Sequence, residues 1–177
     1  MRKILTIVLV LLSASIAEAE PPGKYPDPAL TPGVVLTTDA TVTCQGGYAI
    51  DLRKREGPTQ KEKCAVFAAY GLPCKNKRGE FQVDHFLPMK LGGSPNGLKN
   101  LWPQRWSWWK KKDLTEFSAI HAVCVEHSMT LPDAQAALME DWYALYLKFK
   151  KESRLRDYDV NERKKHQRSS THKVETK

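Results

Sequence analysis

The chain has 177 residues, enough for one domain with extensions but too short for two full-sized folds with separate large cores. It carries 28 Lys and Arg against 20 Asp and Glu, a net charge of +8, so its partners are expected among polyanions such as nucleic acid, anionic lipid or acidic glycans. A hydrophobic fraction of 41% with 5 Trp, 6 Tyr and 5 Phe suffices for a packed core and excludes a collagen-like or wholly disordered chain.

Residues 1–19 read as a signal peptide. Arg2 and Lys3 precede the apolar run Ile4 to Leu12, and Ala17-Glu18-Ala19 places small residues at a cleavage site after Ala19. The run is shorter than the ~20 residues a bilayer span requires, and no later stretch approaches that length. The expected product is a secreted or periplasmic protein without a membrane span. In such an oxidising compartment Cys44, Cys64, Cys74 and Cys124 can form two disulfides in three connectivities. Cys64 and Cys74, ten residues apart across a helix end, can close locally, which by elimination leaves Cys44 for Cys124. A zinc site is the rival, but no two cysteines have the spacing usual for structural zinc.

Residues 20–58 begin with five prolines between Pro21 and Pro32 and read as an extended surface leader, with a short β-prone stretch at Ala40 to Cys44 before the turn Gln45-Gly46-Gly47. The domain proper is placed at 59–149. Its first helix starts on the capping box Thr59-x-x-Glu62, carries Val66, Phe67 and Tyr70 at helical spacing and stops at Gly71. Phe81 to Val83 and Phe86 to Leu91 read as the strands of a hairpin with an irregular tip, followed by the loop signal 92–97. Past Asn100-Leu101-Trp102-Pro103 a helix is marked by Leu114, Phe117, Ile120, His121 and Cys124. A second begins near Thr130 and carries Leu138, Trp142, Leu145 and Phe149. Residues 150–177 lack an apolar period and hold ten Lys and Arg against five Asp and Glu, a basic tail read as disordered. The fold class is α+β.

Asp84-His85 ends the first short strand, with Asn100 sixteen residues after Asp84. An imidazole beside a carboxylate supplies a base for water and an oxygen ligand for a divalent cation, although an isolated Asp-His pair is more often an ordinary loop hydrogen bond. The run Phe81-Gln82-Val83-Asp84-His85-Phe86-Leu87-Pro88-Met89-Lys90-Leu91-Gly92-Gly93, ending in Lys99-Asn100-Leu101-Trp102-Pro103-Gln104, resembles the HNH nuclease motif of the ββα-metal superfamily. It looks most like a group of small exported bacterial proteins with an HNH-like centre, over roughly Tyr25 to Tyr146.

That resemblance implies a hairpin-helix metal centre with packing helices around it and phosphodiester hydrolysis as its activity. It makes His85 the general base, Asp84 a metal ligand and Asn100 the residue that fixes the ring and loop. Colicin-type members place helix ligands nine and thirteen residues after the Asn, positions that fall here on Trp109 and Asp113. Asp113 is a suitable ligand and the indole is not, so the site either holds a hydrated ion on few protein ligands or has lost turnover. The implied cofactor is a divalent metal, magnesium ahead of manganese or zinc.

Trp102, Trp106, Trp108 and Trp109 run into Lys110-Lys111-Lys112. Trp102 and Trp106 are expected under the hairpin, and one of Trp108 and Trp109 toward solvent. Lys99, Arg105, Lys110, Lys111 and Lys112 are the expected phosphate contacts, with DNA ahead of RNA as the polymer. His121 reads as a satisfied histidine on the inner helix face; His127, His166 and His172 have no evident partner, and the pattern around Arg53 to Arg55 is too weak to assign. The functional expectation is an exported HNH-type endonuclease. Its rivals are a catalytically degenerate nucleic-acid-binding protein of the same fold and a basic envelope protein that binds anionic polymers through its tail.

Overall fold

The structure, a computed structural model, describes residues 23–75 and 80–156. The signal-peptide reading, His166, His172 and residues 157–177 of the tail lie outside the described residues. The fold is mixed α+β: helices α1 (Ala40–Thr43), α2 (Tyr48–Glu56) and α3 (Gln60–Ala69), strand β1 (Phe81–His85), strand β2 (Leu101–Arg105), then helices α4 (Trp106–Cys124) and α5 (Leu131–Lys151). The two strands form an antiparallel sheet in which Phe81 faces Arg105, Val83 faces Pro103 and His85 faces Leu101.

The hairpin differs from its sequence reading in its second strand. Phe86 to Leu91 is not a strand; it bends away and closes a 3₁₀ turn at Met89–Leu91, and Leu101–Arg105 pairs with β1 instead. Pro103, which argued for a helix start there, is tolerated because each strand of a two-stranded sheet has an edge where no donor is required. The stretch Ala40 to Cys44 is also helical rather than extended. Asp39 caps it by accepting from the Thr41 amide at 2.8 Å, a local bond that overrides the β-branched composition. Helix α2 lies within the segment read as extended leader, and Leu52 is its one buried residue.

The capping box at Thr59 forms as expected, with the Thr59 amide donating to Glu62 at 2.7 Å and the Glu62 amide to the Thr59 hydroxyl at 3.2 Å. Helices α4 and α5 pack against each other, and Trp102, Trp142, Phe149, Leu87 and Leu91 are sealed in the core they share with the loop after β1. Helix α5 breaks its helical dihedrals at Asp141, whose carboxylate accepts from the Tyr143 and Ala144 amides and from the Tyr25 hydroxyl. The leader is thereby tied to α5, and the Trp142 indole adds a bond to the Lys24 carbonyl at 3.0 Å.

Part of the basic tail also departs from its reading. Helix α5 runs to Lys151, Leu155 packs on the core, and Arg154 reaches back to Glu126 at 2.6 Å and to Ser128. The Arg156 amide donates to Ser118 at 2.9 Å, so residues 154–156 are docked on α4 and the turn that follows it.

Both disulfides form in the expected pairing: Cys44 with Cys124, which ties α1 to the end of α4, and Cys64 with Cys74, which closes the end of α3. Two such bridges point to an oxidising compartment. Among the described residues no helix is long and apolar enough to cross a membrane. Thiol titration of the denatured, unreduced protein is expected to return close to zero thiols, since no cysteine is free. Replacing Cys44 and Cys124, 80 residues apart, is expected to cost about 4 kcal/mol, more than the roughly 3 kcal/mol for the local pair. Equal losses in denaturant titrations of the two double variants would contradict that order.

Candidate functional site

Asn100 makes three hydrogen bonds to the loop between β1 and β2, and Gln135 adds one to the Leu91 carbonyl at 2.9 Å. Asn100 is fully buried; its Oδ1 accepts from the Leu87 amide at 3.0 Å and the Val34 amide at 3.4 Å, and its Nδ2 donates to the Leu87 and Ser94 carbonyls, both at 2.9 Å. The glycines beside it are required by space. Gly92 has φ of +78°, and a Cβ on it would run into the Thr37 carbonyl; a Cβ on Gly93 would collide with the Leu87 carbonyl. The leader takes part as well, through the Val35–Gly93 bridge and a bond from the Leu36 amide to the Gly92 carbonyl.

This clamp sets the position of the Pro95 carbonyl, next in sequence to the Ser94 carbonyl that Asn100 holds. His85 Nε2 lies 2.8 Å from the Pro95 oxygen. A carbonyl can only accept, so Nε2 carries the proton and Nδ1 is left as the basic nitrogen of a neutral ring. Burial pushes the His85 pKa below the ordinary imidazole value, against the opposing pull of the Pro95 bond and of Asp84, which keeps the ring neutral at pH 7.

Asp84 and His85 line a cavity of about 390 Å³ together with Gln82 and Val83 of β1, Trp109 and Asp113 of α4, Arg53, Gly57 and Pro58 at the end of α2, and Lys63 of α3. The helical offset of four between Trp109 and Asp113 puts both on the face of α4 turned toward β1. A larger, more open cavity of about 500 Å³ lies at the start of α5, where the Thr130 hydroxyl engages the carboxylate of Asp133 in the helix cap. That cavity also carries an imidazole and a carboxylate, His127 and Asp133, but Asp133 is taken up in the cap, whereas the Asp84–His85 cavity adds a second carboxylate, Asp113, and the cations Arg53 and Lys63.

Beneath it lies a group that sequence reasoning assigned differently. Lys112, expected as a solvated phosphate contact, is 1% exposed. Its ammonium donates to Asp84 Oδ2 at 3.1 Å, to the His85 carbonyl at 2.7 Å and to Glu116 Oε1. Burial opposes its charge, but the two carboxylates outweigh that and hold Lys112 above the ordinary lysine range. Burial likewise pushes the Glu116 carboxyl well above the ordinary range, against the pull of Lys112. Glu116 was missed in the sequence, although its offset of four from Lys112 on a helix is a readable ion-pair signal.

The other expected contacts are dispersed. Lys99 is exposed, the Arg105 guanidinium lies 4.7 Å from the centre of the Phe81 ring, and Lys111 lies over Trp108 at 5.0 Å. Lys110 is exposed and lies 6.0 Å from the Trp109 ring. Trp106, expected under the hairpin, is 41% exposed, whereas Trp102 is sealed. His121 bonds Glu126 at 3.1 Å. Two cations that were not assigned from sequence, Arg53 and Lys63, stand on the cavity wall.

Among the described residues no group of three or more His, Cys, Asp and Glu side chains is arranged to hold a metal. The cavity's donors are the carboxylates of Asp84, its side chain 31% exposed, and Asp113. Two carboxylates are the number a hard, largely hydrated cation such as magnesium takes from a protein while keeping most of its water. They do not fit zinc, which requires three or four protein ligands. The chain matches no family model, no curated protein and no solved structure.

Proposed function

We propose that this protein is an exported, metal-dependent endonuclease of the HNH type, hydrolysing phosphodiester bonds in the Asp84–His85 cavity. The observation that carries the reading is the His85 ring. It is a buried neutral imidazole whose Nε2 proton is committed to the Pro95 carbonyl, set beside a carboxylate in a cavity that also holds Asp113, Arg53 and Lys63. The order of strand, long clamped loop, strand and helix supports the same reading. The disulfides support a secreted or periplasmic setting.

In this mechanism Nδ1 of His85 accepts a proton from the attacking water as its oxygen bonds to phosphorus and the bond to the leaving oxygen breaks. Asp84 and Asp113 would hold a divalent cation, whose chemistry when bound would be to polarise the phosphate and steady the leaving oxygen. Arg53 and Lys63 offset the charge of the non-bridging oxygens. Asn100 acts through the loop: it fixes the Ser94–Pro95 backbone, which in turn fixes the tautomer and direction of His85. Lys112 holds Asp84 and the His85 backbone from below.

The reading is tested by Asp84→Asn, which is expected to raise the magnesium concentration for half-maximal plasmid cleavage at least roughly tenfold. An unchanged metal dependence in a folded variant would remove Asp84 from the metal site. Two observations favour a second reading, a binding protein without turnover: Trp109 stands where a helix ligand is expected, and Asp84 is already engaged by an ammonium. That reading expects no cleavage by the parent with magnesium, manganese or zinc.

A further inference from the structure

The wall of the cavity formed by α4 is aromatic. Trp109 lines the same space as Asp84 and His85, and its ring centre lies 5.4 Å from that of Trp106 at an interplanar angle of 55°. Trp106, at 41%, has the only aromatic side chain among the described residues that is classed as exposed. The other indoles are spent on packing: Trp102 and Trp142 are sealed, and Trp108 meets Trp142 and Tyr143 edge to face. Lys110 stands beside Trp109, and Arg53 and Lys63 line the same cavity.

An indole in a cavity wall that also carries two cations suits a base and its phosphates at once. A base in a duplex offers its edges, because its faces are covered by its neighbours; only an unpaired or extruded base can lie on Trp109. The cavity volume of about 390 Å³ falls in the range of small-ligand pockets, room for a nucleotide but not for a duplex. Resting on the phosphodiester reading of this cavity, we infer that its substrate is single-stranded or locally unpaired nucleic acid, with one base stacked on Trp109, which Trp106 braces from the side, and the adjoining phosphates held by Arg53 and Lys63. Stacking is tolerant of sequence, so this site selects strand state rather than base identity.

The test is equilibrium binding, in chelator so that nothing is cleaved, of a labelled single-stranded oligonucleotide and of the same sequence in a duplex. The parent is expected to bind the single strand at least about tenfold tighter. Trp109→Ala is expected to lose roughly 5- to 150-fold of that affinity with little change for the duplex, and Trp109→Phe to keep most of it. In case Trp109→Ala does not fold, 2-aminopurine placed in the strand reports on the parent alone: its fluorescence is quenched when it stacks on an indole. Equal affinity for both strand states, or an unquenched probe at saturation, overturns the stacking site. Trp109-dependent binding of single strands without cleavage under any metal overturns the nuclease reading and leaves this one standing. Cleavage of both substrates at equal rates, unimpaired in Trp109→Ala, does the reverse.

Discussion

His85→Ala is expected to lower the rate of phosphodiester cleavage by about two to four orders of magnitude, the usual contribution of a positioned general base. Nucleic-acid affinity should stay within about twofold of the parent, because the contacts proposed for binding come from α2, α3 and α4 rather than from the imidazole. The melting temperature should fall by only a few degrees: the substitution removes one hydrogen bond, to Pro95, from a ring that makes no ion pair. Single-turnover kinetics at saturating substrate separate these effects, since a lost base slows the chemical step and leaves the binding constant in place. A folded His85→Ala protein with undiminished metal-dependent cleavage would remove the imidazole from the mechanism.

The largest effect on stability is expected at Lys112. Lys112→Met keeps much of the side-chain volume and removes the ammonium, leaving the Asp84 carboxylate without its cation and the buried Glu116 carboxyl without its donor. Breaking a buried ion pair in this way costs about 3–5 kcal/mol, or roughly 6–20 °C in melting temperature for a chain of this size. The second substitution Asp84→Asn, made in the Lys112→Met background, should recover part of the loss by removing the stranded charge. A double variant no more stable than Lys112→Met would show that the cost lies in packing and not in charge. Asp84 and the His85 backbone lose their support in the same step, so cleavage should fall even in the fraction that remains folded.

How far the sequence reveals this arrangement depends on the kind of signal each part leaves. Helices α3, α4 and α5 leave a cap or an apolar period, and the disulfide pairing follows once Cys64 and Cys74 are seen to close locally. Helix α2 leaves almost nothing, because with Leu52 alone buried it has no apolar face to repeat. Strand β2 is obscured by Pro103, and the segment through the 3₁₀ turn at Met89–Leu91 imitates a strand because Phe86, Leu87, Met89 and Leu91 are apolar residues buried for tertiary reasons. In the site, adjacency in sequence makes Asp84 and His85 visible together. Arg53 and Lys63 come from other helices and reach the cavity only through the fold. The reading of Lys110 to Lys112 as one solvated run fails at its last member for a geometric reason: a step of one residue turns a helix by about 100°, so Lys112 faces the core while Lys110 faces solvent.

The most direct measurement is multiple-turnover cleavage of a defined oligonucleotide containing an unpaired segment by the purified parent in magnesium, with a chelator arm alongside. Product in excess of enzyme is expected with magnesium and none with chelator. Absence of product with magnesium, manganese and zinc, in a protein that melts cooperatively and binds the oligonucleotide, would contradict it.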